Sequence, residues 1–240
     1  MASTRPLIII RTQGKESRDL SEHAFVELVD KMGGDLSVCN SARVSYGKHS
    51  MELTEKDERL IHRLLKDRHG TPFEQATMTF YVRCPIFVAR EWMRHRIGSF
   101  NEISGRYSQL PTDFYMPEHF RVPNPDTKQM DYKYIDADAT LNEQAQIVAA
   151  HAYEVAQDAY HTLLEMGIAK EHARIILPVG LFTEFRWTVN ARSLMNFLSL
   201  RTAPGAMGEI RGYATFIEQL WATWMPVTAA AFEKYGRVAP

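Results

Sequence analysis

The chain has 240 residues, enough for one sizeable core or two small ones, with 45% hydrophobic and 24% charged residues, an ordinary globular composition. A formal net charge of −1 argues against bulk electrostatic capture of nucleic acid, which needs a basic face, and leaves room for a local anion site. Cys39 and Cys84 sit in unlike contexts and suggest no disulfide framework, no apolar run reaches membrane-spanning length, and the charged start of the chain lacks a signal-peptide core, so a reducing cytoplasm is expected.

Taken in order, Leu7–Ile10 reads as an edge strand followed by a polar loop. Phe25–Met32 half-fits both periods; Gly33-Gly34 after it favours a strand. Asp35 or Ser37 can cap a helix reaching roughly Tyr46. Thr54–Arg68 is the clearest amphipathic helix, capped by Thr54, with Leu60, Ile61, Leu64 and Leu65 on one face, and His69-Gly70-Thr71-Pro72 breaks it. Thr77–Cys84 alternates as a strand. Ile86–Arg96 reads as a mostly buried helix that delivers Arg94 to the next loop, with Arg90 and Arg94 on one face and Glu91 beside Arg94. β-propensity returns in Arg106–Leu110 and Phe114–Met116, and Pro117–Thr140, without period, reads as a long loop.

Leu141–Met166 reads as a long helix stopped by Gly167, and Lys170–Leu177 as a short one ended by Pro178. Within the latter, Arg174 lies among apolar neighbours, where it must reach solvent or find an anion. Thr183–Asn190 alternates as a strand, and Ala191–Arg201 follows as a helix on which Arg192 and Asn196, four apart, share a face. Glu209–Tyr235 closes the chain as an aromatic helix interrupted at Pro226, its Phe216, Leu220, Trp221 and Trp224 stripe facing core or a subunit contact. With no internal repeat or low-complexity linker, residues 1–240 read as one α+β domain: a small mixed or antiparallel sheet packed with several long helices.

The chemistry concentrates in Arg94–Ser108, RHRIGSFNEISGRYS. Short polar residues around Gly98 and Gly105 favour a loop. Arginine forks suit phosphate bidentately, and hydroxyls with backbone N–H groups beside glycine complete an anion cradle. Arginine-rich loops also serve as solvated surface or ion-pair scaffolding. Neither cysteine has an adjacent histidine or basic loop partner, so both read as structural. His62 and His69, seven apart with no carboxylate cluster beside them, make a metal site unexpected.

The spacing decides between these readings. Arg94–Tyr107 resembles the signature R-H-R-x-x-S-x-N-E-x-S-x-R-Y of the flavin-dependent thymidylate synthases at every specified position, and His69, Thr71, Pro72, Phe73 and Glu74 resemble their H-x-T-P-F-E. The resemblance, running from about Phe25 to the last helix, implies reductive methylation of dUMP to dTMP without a cysteine nucleophile. It implies FAD as bound cofactor, NADPH as reductant, methylenetetrahydrofolate as carbon donor, and a homotetramer with shared sites. By the same resemblance Ser104, Gly105 and Arg106 hold the nucleotide phosphate, joined by Arg174 from another subunit, and Arg201 polarises the pyrimidine. Glu91 and Arg94, from the neighbouring chain, line dUMP with Trp92, Met93, Glu102 and Ile103. Thr71, Arg94, His95, Arg96, Glu102, Asn190, Ala191, Arg192 and Asn196 hold FAD, with Ser45 and His69 beside the flavin. The chain departs from the family where Gly205-Ala206-Met207 replaces a usual His-Ala-Gln, and Glu91 stands where some members have Gln. Two other classes remain to be weighed: an RNA- or nucleotide-binding module using the Arg-His-Arg loop, and a structural oligomer whose arginines lock interfaces.

Overall fold

The computed structural model describes residues 9–11, 24–126 and 133–240, those of 9–11 by backbone alone. The expected loop after residue 11 and the start of the first expected strand, at residues 7 and 8, lie outside the described residues. Cα packing divides the chain into two compact units interleaved in sequence, one of residues 1–83, 90–102 and 184–240, the other of 84–89 and 103–183.

The first unit carries a five-stranded mixed sheet in the order β1 (Ile9–Arg11), β2 (Phe25–Met32), β3 (Thr77–Pro85), β7 (Phe182–Asn190), β4 (Ser99–Glu102). β1 runs parallel to β2, while β2–β3 and β4–β7 are antiparallel. On β3 the alternation is expressed directly: Met78, Phe80 and Val82 are wholly buried. On the opposite face Thr79 bonds Thr188 at 2.9 Å, and Glu184 accepts from Tyr81 and pairs with Arg83. Burial, then the carboxylate it donates to, pushes the Tyr81 phenol up to about 12.

Helices cover this sheet. α2 (Glu55–Lys66) packs on α1 (Asp35–Arg43) and on α8 (Pro226–Lys234), and α7 (Gly208–Trp224) packs on α6 (Ala191–Arg201) and on β2. The Thr54 backbone N–H and hydroxyl both donate to Asp57, so the expected cap at α2 forms. Asp57 is wholly buried and pairs with Arg43. Burial alone would raise its carboxyl, but the Thr54 and Arg43 contacts outweigh that and hold it below the ordinary range.

Asp35 does cap a helix, though not its own. The preceding Gly34 is the N-cap of α1, and the Asp35 carboxylate instead accepts from Val227 N–H, Thr228 N–H and the Thr228 hydroxyl, satisfying the start of α8. Trp92 is the hub of the core, with ring centroids of Phe197 at 5.0 Å, Phe185 and Trp187 at 5.4 Å and Tyr213 at 5.8 Å. The stripe that α7 buries is Ile210, Tyr213, Ala214, Ile217 and Trp221; Phe216, Leu220 and Trp224 are only half-buried beside it.

Two expectations need correction here. The helix over 86–96 is shorter, α3 being Ile86–Trp92, so Arg94 follows the helix rather than riding on it. The expected loop over 94–108 is in part strand, because Ser99–Glu102 finds a partner in β7 and Phe100 stacks on Trp187.

The second unit is built on α4 (Ala139–Glu165), capped by the Asp138 side chain accepting from Leu141 N–H. Expected strand character at 106–110 is absent: the chain turns at 104–108, with Tyr107 and Ser108 N–H donating to the Ser104 carbonyl. Of 114–116 only Phe114 forms a bridge, with Leu181. The expected loop over 117–140 contains a two-stranded ribbon, β5 (Arg121–Pro123) with β6 (Tyr134–Asp136). The expected helix over 170–177 is a single turn, α5 (Lys170–Ala173), tightening into a 3-10 turn at Arg174–Ile176. Among the described residues no helix is long and apolar enough to cross a membrane.

Candidate active site

In the first unit a cavity of about 730 Å³ opens beside the C-terminal end of α2. Its walls include Ser41, Ser45, Arg68, His69, Thr71, Gln75 and Arg192. Just past the end of α2, Arg68 sits at φ 58, a left-handed position usually left to glycine, and His69 N–H bonds back to the Leu64 carbonyl. That reversal, followed by the 3-10 turn Thr71–Gln75, turns His69 and Thr71 toward the cavity, both exposed. Gly70 is required by closeness: a Cβ there would lie 2.4 Å from Arg192 Nε. Arg192 is fixed in turn by the Glu74 carboxylate at 2.6 Å and by the Pro240 carbonyl, which accepts from Nε at 2.7 Å. Ser45, His69, Thr71 and Arg192, all expected beside the flavin, therefore share one cavity. Arg68 and Gln75, which sequence reasoning did not single out, join them; only the expected break after α2 pointed their way.

The last residue of α6 carries the second feature. Arg201 is 15% exposed and makes three bonds. Its Nε donates to His95 Nε2 at 2.9 Å, Nη1 to the Glu91 carboxylate at 2.9 Å, and Nη2 to the Glu91 carbonyl at 2.9 Å. Glu91 also accepts from Arg94 at 3.1 Å. Burial alone would raise the Glu91 carboxyl, but these arginines outweigh it and hold it below the ordinary range. Burial, then the Arg201 charge, pushes the His95 imidazole down to about 4. His95 is therefore neutral at pH 7, with its remaining proton on Nδ1.

The other expected residues of this unit fall into three groups. Arg96, Glu102 and Asn196 are exposed, and Arg192 and Asn196 present one face as expected. Asn190 spends its side-chain oxygen on Ser193 N–H as the cap of α6, and Ala191 N–H is donated to the Ala76 carbonyl. Trp92 is wholly buried, which corrects its expected role: its indole belongs to the core. The Cys39 thiol is buried and pushed up to about 12 by that burial and then by the Asp57 charge, the state of a structural residue and not of a thiolate nucleophile.

The second unit holds the third feature. Gly105 is buried at the turn, and a Cβ there would lie 2.7 Å from Leu110 Cδ1 and 3.0 Å from Arg174 Cδ. The Ser104 hydroxyl accepts from Arg106 N–H at 3.3 Å. Arg106 pairs with Glu171 at 2.9 Å, with side chains 55% and 43% exposed, an arrangement worth little in water and readily exchanged for an anion. Arg174 is half-buried, and its guanidinium has no hydrogen bond or ion pair among the described residues. Ser104, Gly105, Arg106 and Arg174 thus come together within one chain, whereas the resemblance implied Arg174 from another subunit. The described residues include no group of three side chains suited to a metal ion.

The UMP/dUMP methylase PolB from Streptomyces cacaoi, bound with 5-Br UMP, matches with a TM-score of 0.83 at 41% identity over 97% of this chain and 99% of that one. The same methylase bound with 5-Br dUMP matches with a TM-score of 0.82 at 43% identity over 90% and 97%. An α+β enzyme of the methyltransferase class is what this fold and these cation sets define. The family model of the thymidylate synthase complementing protein matches residues 27–227. The flavin-dependent thymidylate synthase of Thermosipho africanus is 47% identical over 89% of this chain and 92% of its own length, and that of Thermus thermophilus 44% over 89% and 77%. The chain belongs to this family, the flavin-dependent thymidylate synthases.

Proposed function

We propose that the chain converts dUMP to dTMP by reductive methylation at C5, taking its carbon from methylenetetrahydrofolate, with FAD bound and NADPH as reductant. One observation carries the reading: Arg201 is held by three bonds in a part-buried setting, a directed cation of the kind that polarises a carbonyl rather than one that covers a surface. Set against the pyrimidine carbonyls, it favours ionisation at N3 and enriches C5, which is what a mechanism without a thiolate requires. Ser104, Gly105, Arg106 and Arg174 take the nucleotide phosphate, Ser104 as a ligand and not as a nucleophile.

The residues around the cavity fit a flavin. Its size is that of a cofactor site, and the donors of Thr71, His69, Arg68 and Arg192 suit a ring system with a diphosphate. Bound FAD supplies the reducing equivalents. Arg94 and Arg96 face its phosphates, His95 has only Nδ1–H left to offer it, and Asn196 and Arg192 meet it from α6. Glu91, Met93, Glu102 and Ile103 line the nucleotide.

The family match from 27 to 227 spans residues of both units and supports a single functional domain over 1–240. The reading includes a homotetramer in the cytoplasm. α4 buries only Tyr160 and leaves Ile147, Val148 and Val155 more than half exposed, an apolar face suited to subunit contact. Both cysteines are free. A specific observation favours a second substrate: the similar methylase is described with both 5-Br UMP and 5-Br dUMP, so UMP belongs in the same assay.

Incubation with dUMP, methylenetetrahydrofolate, NADPH and FAD, followed by chromatography of the nucleotides, tests the proposal. dTMP forms only when all four are present. Flavin-loaded protein that leaves dUMP unchanged contradicts it, and methylation of UMP at a similar rate establishes the second substrate.

A further inference from the structure

Arg201 has five N–H groups, of which three are committed, to His95 Nε2, to the Glu91 carboxylate and to the Glu91 carbonyl. One N–H on each terminal nitrogen remains, the fork that meets two acceptors of a planar ring. The direction of that fork depends on what grips the Nε side. We propose that His95 is a positioning residue for Arg201, acting through the lone pair on its Nε2. The inference rests on the reading that Arg201 meets the pyrimidine.

The geometry leaves His95 little freedom. Its ring meets the Phe197 edge with centroids 5.0 Å apart at 72°, and Phe197 is itself wholly buried against Trp92 and Trp187. An aromatic core therefore sets the imidazole plane, and the imidazole sets Arg201 Nε. A donor must meet an acceptor, so Nε2 cannot carry a proton while this bond exists.

The charged groups around His95 reinforce the point. Arg201 from α6 and Arg94 from its own turn oppose a second cation, Glu91 from α3 favours one, and burial adds to the opposition, so the imidazole stays neutral to about pH 4. Protonation would remove the acceptor and set two cations face to face. Glu91 acts with His95 as the other arm of the grip. Its carboxylate also holds Arg94, and its carbonyl fixes Nη2 independently of pH.

The test compares His95→Phe, His95→Gln and His95→Asn in flavin-reconstituted protein. Phe keeps a ring without an acceptor, Gln places a carbonyl oxygen near the Nε2 position, and Asn places one near Nδ1. Bound flavin is measured from absorbance, nucleotide affinity from the flavin difference spectrum with dUMP, and turnover from dTMP across pH 5 to 9. His95→Phe is expected to lower kcat by about 10²-fold, the scale of one misdirected transition-state donor, and to weaken dUMP binding much less. His95→Gln recovers at least a tenth of wild-type kcat and loses any acid limb that belongs to His95, and His95→Asn recovers little.

A second readout needs no turnover. With 15N-labelled arginine, the Arg201 Nε–H resonance is slow to exchange in the wild type and in His95→Gln, and fast in His95→Phe. Equal kcat for the Phe and Gln variants at equal flavin content, or an Nε–H protected alike in both, overturns the inference. A wild type that protects Nε–H yet makes no dTMP overturns the proposed function and leaves the anchor standing.

Discussion

Two sets of arginines in this molecule are held in opposite ways. In the first unit Arg201 is 15% exposed, spends three of its donors on fixed partners and leans on a neutral histidine. In the second, Arg106 is 55% exposed with a single exposed ion pair, and the guanidinium of Arg174, beside Gly105, has no partner among the described residues. A cation that steers electrons within a ring must point in one direction, and rigidity provides that. A cation that takes a phosphate needs unspent donors and can settle around the anion on binding. The difference sorts the arginines by task before any ligand is considered.

The largest effect that could break this contrast is at Arg201. Arg201→Lys keeps the charge and loses the fork, and dTMP formation is expected to fall by about 10²–10³-fold while dUMP affinity changes less. A fall confined to affinity would place Arg201 with the phosphate group. Next in size is a purely structural arginine, Arg43, seen through its partner. Asp57→Asn leaves Arg43 facing a neutral amide and is expected to cost about 3 kcal/mol in urea unfolding, with no specific change in dUMP affinity.

The shifted groups of the first unit predict acid behaviour. Asp57 and Glu91 have depressed carboxyls, so their stabilisation is complete above the ordinary carboxylate range and is lost as pH falls through their lowered values. The His95 imidazole is also depressed, so the unfolded chain takes up its proton first and stability falls as pH drops from the ordinary histidine value toward about 4. A melting temperature that rises on acidification from pH 6.5 to about 4 contradicts the histidine claim, and one that holds level as pH falls further contradicts the carboxylate claim.

Smaller effects sharpen the other side of the comparison. Arg174→Ala is expected to weaken dUMP by about 10–100-fold, the worth of a charge-assisted bond, and to leave deoxyuridine binding unchanged because deoxyuridine has no phosphate. Gly105→Ala should act in the same direction and less strongly, costing about 1 kcal/mol of overpacking as Leu110 and Arg174 are pushed aside. Equal loss of dUMP and deoxyuridine in either variant would remove the phosphate assignment.

Much of the fold is legible in the sequence where periodicity is local. The apolar face of α2, the strand before α6 and Gly167 after α4 are written in neighbouring residues. β4 is not, because Ser99–Glu102 becomes a strand only by pairing with β7, some eighty residues on, and by stacking Phe100 on Trp187. Asp35 misleads for the same reason: it has the composition of a local cap and serves α8, whose first residue is Pro226. The α3 helix stops at Trp92, where His95 N–H bonds back to the Trp92 carbonyl and its ring meets Arg201 and Phe197, long-range contacts that no propensity records. Arg68 in the left-handed region escapes notice because nothing in its residue type announces a positive φ. The family resemblance named Arg201, His95 and Glu91 separately; their mutual grip needed coordinates.

The central claim, directed and compliant arginines meeting a flavin and a uridylate, is tested most directly by the visible spectrum of FAD-reconstituted protein titrated with dUMP and, in parallel, deoxyuridine. The account predicts a yellow protein whose spectrum shifts saturably with dUMP and only at far higher concentration with deoxyuridine. A colourless protein after reconstitution, or a flavin whose spectrum ignores dUMP, would contradict it.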